Sequence, residues 1–304
     1  MSGGPGQVGV LDVGCFSAHL VVVDDPALHP VLSHKTRLRL DLSLDGNAGV
    51  RRSGVDQVVA AVREARHVAE RAGVRELLPW ATSVLRDAPN AAEVFAEVER
   101  RTGVALRSLS GVEEARLAYL AARRWFGADV GPMVVLDIGG GTVEVAAGST
   151  GEPVLAASLP YGARTLSRCQ VDPEVLRASL LESMDALGDL RGHFAVGCSK
   201  VFQQLARLSG ARPQRDGPDV RRTLRVEDLR RWARRLAAMP DRQRARLPGI
   251  SRHRAGQSAA GAVVAEALMT AAGHDEVAIC PWSTREGLLL TLIGAGDDEI
   301  CRVA

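Results

Sequence analysis

Val134-Val135-Leu136-Asp137-Ile138-Gly139-Gly140-Gly141-Thr142-Val143-Glu144-Val145 is the stretch that decides the fold. An apolar run, a glycine turn and a second apolar run predict a strand, a tight turn and another strand. Asp137 stands at the mouth of the turn and Glu144 just after it. Three successive glycines leave no Cβ in the turn, so its backbone N–H groups can close on an anion such as a phosphate. A carboxylate beside such a cradle would repel the anion unless a divalent cation sat between them. Asp137 and Glu144 therefore point to a Mg²⁺-phosphate site. An ordinary tight hairpin fits the same residues, and both readings stand at this point.

The pattern occurs twice. Val10-Leu11-Asp12-Val13-Gly14-Cys15-Phe16-Ser17-Ala18-His19-Leu20-Val21-Val22 overlays the first stretch at a constant offset. Asp12 falls on Asp137, Gly14 on Gly139, Ser17 on Thr142 and His19 on Glu144. An internal repeat outweighs any single motif in choosing a fold. Two strand–turn–strand phosphate loops, one opening each half, describe two similar α/β lobes facing each other across a cleft. That is the plan of actin, the sugar kinases and the Hsp70 ATPases. The expected lobes are residues 1–127 and 128–304, with a last helix that can cross back to the first.

Composition agrees. The 304 residues suffice for two domains, and 46% are hydrophobic. No apolar run approaches the roughly 20 residues needed to span a bilayer. Met1 to Gln7 lacks a basic-then-apolar leader pattern, so a cytoplasmic protein without membrane association is expected. Cys15, Cys169, Cys198, Cys280 and Cys301 are scattered and suggest neither a disulfide framework nor a zinc site.

Along the first half, strands are expected near 35–40, at 77–82 and at about 104–109, with a helix over 54–72. Asn90 and Glu93 suggest a capping box for a further helix. Arg86, at a strand end, has a guanidinium that can fork onto a phosphate, or simply pair with Asp87. Ser110 and Glu113 read as another capping box, which commits Glu113 to the helix end. Glu114 is turned about 100° away and sits where the helix dipole favours a carboxylate. It can serve as a water-activating base or merely complement that dipole.

In the second half, a strand is expected at 153–159 and a helix from Asp172-Pro173 to about 188. A short strand at 193–197 precedes a helix bearing Lys200 and Arg207. Helix 256–273 is rich in alanine and suited to close packing, and 276–280 is a final strand. Ser283 and Glu286 suggest one more capping box. Residues 212–254 hold 14 Arg against five acidic residues, a net of +9 in a chain of net +2. Such a block can steer a polyanion or be a solvated helix face. With 4% aromatic residues and no recognisable module, nucleic acid is not an expected partner.

Taken in order, DVGxxSxHLVV, ATSxLRDAxN, SGxEEARLAYLA and DIGGGTxE resemble the exopolyphosphatase/guanosine pentaphosphate phosphohydrolase (Ppx/GppA) family. The likeness continues through Leu159 to Arg164, Val196 to Lys200 and Ile279 to Gly287, and so covers nearly the whole chain. The short length is similar to that of two-domain actinobacterial exopolyphosphatases. The resemblance implies two ribonuclease H-like lobes and a homodimer. It also implies release of terminal orthophosphate from inorganic polyphosphate, or hydrolysis of guanosine pentaphosphate, with Mg²⁺ as cofactor. By motif it makes Glu114 the catalytic base, Asp137 and Glu144 the metal ligands, and Arg86 a phosphate grip. Gly139, Gly140, Gly141 and Thr142 would form one phosphate loop and Gly14, Cys15 and Ser17 the other. Gly197 and Ser199 would line the substrate site. Cys15-Phe16 replaces the family's usual Ser-Asn, removing hydrogen-bonding side chains and placing a bulky ring in the first loop. Cys198-Ser199 and Arg254-Ala255-Gly256-Gln257 also depart from the usual pattern. A weakly active polyphosphate- or nucleotide-binding sensor is therefore a second expectation.

Overall fold

A computed structural model describes residues 7–24, 27–169 and 172–294, with only the backbone of Cys169. The expectations for residues 1–6 and for Cys301 lie outside them. Inter-residue contacts divide the chain into one unit of residues 1–110 with 285–304, and a second of residues 111–284.

The first unit opens with β1 (Val8–Val13), β2 (Ser17–Val23) and β3 (Leu32–Arg37). There follow α1 (Arg52–Arg71), β4 (Glu76–Ala81), α2 (Ser83–Arg86), α3 (Ala91–Thr102) and β5 (Arg107–Ser108). The sheet order is β3-β2-β1-β4-β5, antiparallel through β3-β2-β1 and parallel through β1-β4-β5. Leu11, Val13, Ala18, Leu20 and Val22 point to one face, where they bury Val58, Val62, Leu85 and Val98. Strand alternation sends Asp12 and His19, directly opposite each other in the β1–β2 ladder, to the other face.

In the second unit, α4 (Gly111–Phe126) precedes β6 (Met133–Ile138), β7 (Val143–Gly148) and β8 (Leu155–Leu159). Then come α5 (Ala163–Cys169), α6 (Pro173–Asp185), β9 (Phe194–Gly197) and α7 (Ser199–Leu208). The unit continues through β10 (Thr223–Arg225), α8 (Val226–Ala237), α9 (Asp241–Arg244), α10 (Ser258–Ala271) and β11 (Glu276–Ile279). The last helix, α11 (Thr284–Gly294), belongs from Arg285 onward with the first unit. The second unit's sheet order is β10-β11-β9-β6-β7-β8. Three antiparallel strands continued by two parallel ones repeat the first sheet, with β10 added at the edge. The repeat read in the sequence is thus a repeat of topology: two α/β lobes of the actin and sugar kinase plan.

Both faces of the second sheet are covered, so β6 is buried along its whole length. Val134, Leu136 and Ile138 pack on one side with α10, and Met133 and Val135 on the other with Ala115, Ala118 and Tyr119 of α4. The small residues of α10 serve close packing against α6 and α8. Its one buried carboxylate, Glu266, takes Arg177 of α6 at 2.8 Å and Arg230 of α8 at 3.2 Å. The helix at 111–126, assigned by sequence to the first lobe, has its contacts on β6, β7 and β8.

One local expectation needs correction. Asn90 makes no side-chain cap; its amide instead pairs with the backbone of Val50, accepting at 2.9 Å and donating at 3.0 Å. A long-range partner that satisfies both ends of an amide outcompetes a single helix N–H. Several arginines of the Arg-rich segment, whose role the sequence leaves open, are engaged within the fold. Arg222 is buried and donates to the carbonyls of Arg212, Pro213, Gly217 and Val220. Arg212, Arg230, Arg231 and Arg244 are ion-paired, and Arg235 lies over the Trp232 ring. No described helix is long and apolar enough to cross a membrane.

Candidate active site

Strand parity assembles the acidic centre of the second unit. Asp137 and Glu144 face each other in the β6–β7 ladder and, by alternation, point to the side covered by α4. Glu114 stands in the first turn of that helix and is buried. The three carboxyls converge closely enough that Asp137 and Glu114 both act on Glu144. Burial, and then those two neighbours, pushes Glu144 up to about 8; the hydroxyls of Thr142 and Ser158 oppose the shift. Burial raises Asp137 to about 6, against the hydroxyls of Ser283 and Ser199. Ser283 donates to Oδ2 of Asp137. The buried Ser199 hydroxyl, short of hydrogen-bond geometry, lies near the same carboxyl.

α4 reaches the carboxyls because it begins with glycine. A β-carbon on Gly111 would lie 2.2 Å from Oγ of Ser158. Ser158, opposite Glu144 in the β7–β8 ladder, donates to Oε1 of Glu144 at 3.0 Å.

The glycine turn closes with Gly139 N–H on the Thr142 carbonyl at 2.9 Å. Its carbonyls face inward. Those of Gly139, Gly140 and Gly141 accept from the backbone of Ala163, of Arg164 and Thr165, and of Gly162. Gly162 permits this approach, since a β-carbon there would stand 2.2 Å from the carbonyl carbon of Gly141. Among the described residues the N–H groups of Gly140 and Gly141 have no acceptor. Carbonyls held inward with amides left over is the polarity of an anion cradle.

Gly197 has a packing reason of its own: its α-carbon abuts the Phe202 ring, 2.7 Å from where a β-carbon would sit. Ser199 follows in the left-handed region, at φ 72°, which turns its side chain toward Asp137. A non-glycine residue there costs of order 1 kcal/mol and marks a constrained position.

In the first unit the corresponding turn closes in the same way, Gly14 N–H on the Ser17 carbonyl at 2.9 Å. The carbonyls of Cys15 and Phe16 accept from Leu40 and Leu38. Cys15 is buried and Phe16 packs on the first core, so the bulky ring expected in the loop is directed toward that core. Arg86 ends α2, pairs with Asp87 at 2.7 Å and donates to the carbonyl of Leu109 at 2.8 Å. The pairing with Asp87 is therefore made, and the Leu109 carbonyl fixes the guanidinium further. His19 is a tautomer-defined link: Arg285 donates to its Nδ1 at 2.8 Å, so Nε2 carries the proton toward Ser33, 2.9 Å away. Burial works against the Arg285 charge, and Glu286 and Asp12 outweigh it.

Sequence reasoning missed Ser158, Ser283, Arg285, Gly111 and Gly162 as site residues. Ser283 and Arg285 lie inside a quoted motif, but the sequence reads Ser283 only as a helix cap and gives Arg285 no role. Ser158 carries no local signal, because only its register opposite Glu144 gives it a role.

Among the described residues no group of three His, Cys, Asp or Glu side chains has the arrangement of a protein-only metal cage. Two buried, mutually repelling carboxyls fit instead a Mg²⁺ ion that takes most of its ligands from water and phosphate.

The fold and this site define a phosphohydrolase: a duplicated actin-like chain with an amide cradle beside buried carboxyls. The sequence matches the Ppx/GppA phosphatase family over residues 20–295, and the chain belongs to that family. It is accordingly a phosphoanhydride hydrolase. Exopolyphosphatase 1 of Mycobacterium tuberculosis is 41% identical, with 96% of this chain and 90% of that protein aligned. A guanosine-5'-triphosphate,3'-diphosphate pyrophosphatase of Aeromonas hydrophila is 26% identical over 95% of this chain and 60% of that protein. The crystal structure of the Aquifex aeolicus Ppx/GppA family member superposes with a TM-score of 0.81 at 21% identity, covering 97% of this chain and 99% of that one. It shares the fold.

Proposed function

We propose that the protein releases terminal orthophosphate from inorganic polyphosphate. The single observation that carries this reading is the convergence of Glu114, Asp137 and Glu144 beside a turn that leaves two backbone amides without an acceptor among the described residues. Asp137 and Glu144 would hold Mg²⁺, which would neutralise phosphate charge when bound. Glu114 takes a proton from water as the water oxygen bonds to the terminal phosphorus. The anhydride P–O bond breaks, and the shortened chain leaves with the electron pair. Such a reaction asks mainly for positioning and charge neutralisation. Gly139 to Thr142 receive phosphate oxygens, Ser199 lies beside the metal-side carboxyl, and Gly14, Cys15, Ser17 and Arg86 supply a second grip.

Polyphosphate is favoured over guanosine pentaphosphate by similarity: the exopolyphosphatase relative is 41% identical, the pyrophosphatase relative 26%. Orthophosphate release from the two substrates at equal concentration tests the choice. Preference for long-chain polyphosphate is expected, and a nucleotide rate equal or higher would reverse it. A sensor that binds without turnover is the other reading, motivated by Cys15-Phe16. The first turn keeps its backbone closure, which argues for retained turnover. Restoring polar residues with Cys15→Ser and Phe16→Asn distinguishes them: a wild-type protein that binds but turns over only after this change is a sensor.

A further inference from the structure

Arg164 is a charged residue in search of a partner. Its backbone N–H donates to the Gly140 carbonyl at 3.0 Å, which anchors the first turn of α5 on the glycine loop. Its side chain then doubles back over the loop. A β-carbon at Gly140 would lie 3.0 Å from Nη1, 3.4 Å from Cζ and 3.7 Å from Cβ of Arg164. The guanidinium is thus laid on the one surface that glycine leaves open, beside the spare amides of Gly140 and Gly141. Among the described residues Arg164 makes no side-chain hydrogen bond and no ion pair, unlike Arg177, Arg222 or Arg244. A half-buried guanidinium with five donors, fixed on an amide cradle and not consumed by the protein, has the geometry of a fork for a phosphoryl group.

We propose that Arg164 is a substrate-binding residue that grips the phosphate group resting on Gly140 and Gly141. This rests on the phosphohydrolase reading of the same turn. It extends the site by a residue that pairs with phosphate oxygens directly, while the carboxyls serve the metal and the water. Because the side chain has no protein partner, its removal leaves the fold intact.

The test is Arg164→Ala beside Arg164→Lys, each measured for orthophosphate release from polyphosphate and for equilibrium binding of tripolyphosphate. The Ala variant should raise KM and weaken tripolyphosphate binding by about tenfold to a hundredfold, the span of a charged hydrogen bond. Its kcat should stay within a few-fold, and its thermal midpoint should match wild type. Lys, which keeps the charge but not the fork, should fall between. Unchanged KM and binding in the Ala variant would overturn the proposal while leaving wild-type hydrolysis standing. So would a lowered thermal midpoint with kcat reduced and KM unchanged, since that is a structural role. Failure of the wild type to hydrolyse polyphosphate strikes the proposed function instead, and the tripolyphosphate measurement still reads Arg164.

Discussion

Glu144 is held with its carboxyl raised to about 8, against an ordinary value of 4.5, by burial and by two carboxyl neighbours. A group that binds its proton more tightly folded than unfolded adds stability below its unfolded pKa, and that contribution fades as pH climbs to the folded value. The metal-free protein should therefore lose thermal stability between about pH 4.5 and 8, with Asp137 contributing up to about 6. Thermal melts in chelator check this. Glu144→Gln removes the titrating proton and should flatten the slope, so that the variant gains on wild type at pH 8 and not at pH 5. A wild-type midpoint that rises over this window would mean that the carboxyls are already compensated. The same residues show why the site was only half legible in sequence. Asp137, Glu144 and Glu114 carried motifs that name their chemistry. Ser158 and Ser283 are ordinary serines whose role comes from strand register and from a chain segment far away in sequence.

Elements owe their placement to small residues at contact points. Gly162 lets the start of α5 close on the glycine turn, and Gly111 lets α4 settle on β8. Gly162→Ala should cost about 1–3 kcal/mol by overpacking and lower turnover about a hundredfold, because even a 1 Å shift of the cradle misplaces the reacting groups. Urea unfolding and orthophosphate release measure the two effects, and a variant with wild-type turnover would show that the turn does not seat substrate. Elsewhere α6, α8 and α10 are tied by Glu266, a buried carboxylate serving two arginines. Glu266→Ala should lower stability by about 1.5–3 kcal/mol, toward the low end because both guanidinium partners keep water contact. Activity per folded molecule should be unchanged. Local signals sufficed for these helices: the Asp172-Pro173 start for α6, the alanine-rich run for α10, and for α8 a stripe that includes Leu229, Ala233 and Leu236. The Asn90 cap failed for the opposite reason: its partner is Val50, which no local window contains.

For the whole molecule, the repeat was the most informative reading, because duplicated strand–turn–strand segments reappear as duplicated sheet orders. Both turns close through the same backbone hydrogen bond at the same distance, although one is glycine-rich and the other holds Cys15 and Phe16. Less legible was the allotment of chain to each lobe, since it depends on which sheet a helix covers and not on its own sequence. α4 carries Glu114 into the unit of Asp137 and Glu144, and α11 takes Arg285 to His19. The most direct test of the proposed chemistry is orthophosphate release from long-chain polyphosphate, with and without Mg²⁺, for wild type and Glu114→Gln. Mg²⁺-dependent release by wild type is predicted, with a loss of at least about a hundredfold in the variant, the range of a general base, and with polyphosphate binding retained. Release that survives Glu114→Gln, or that proceeds equally in chelator, would contradict it.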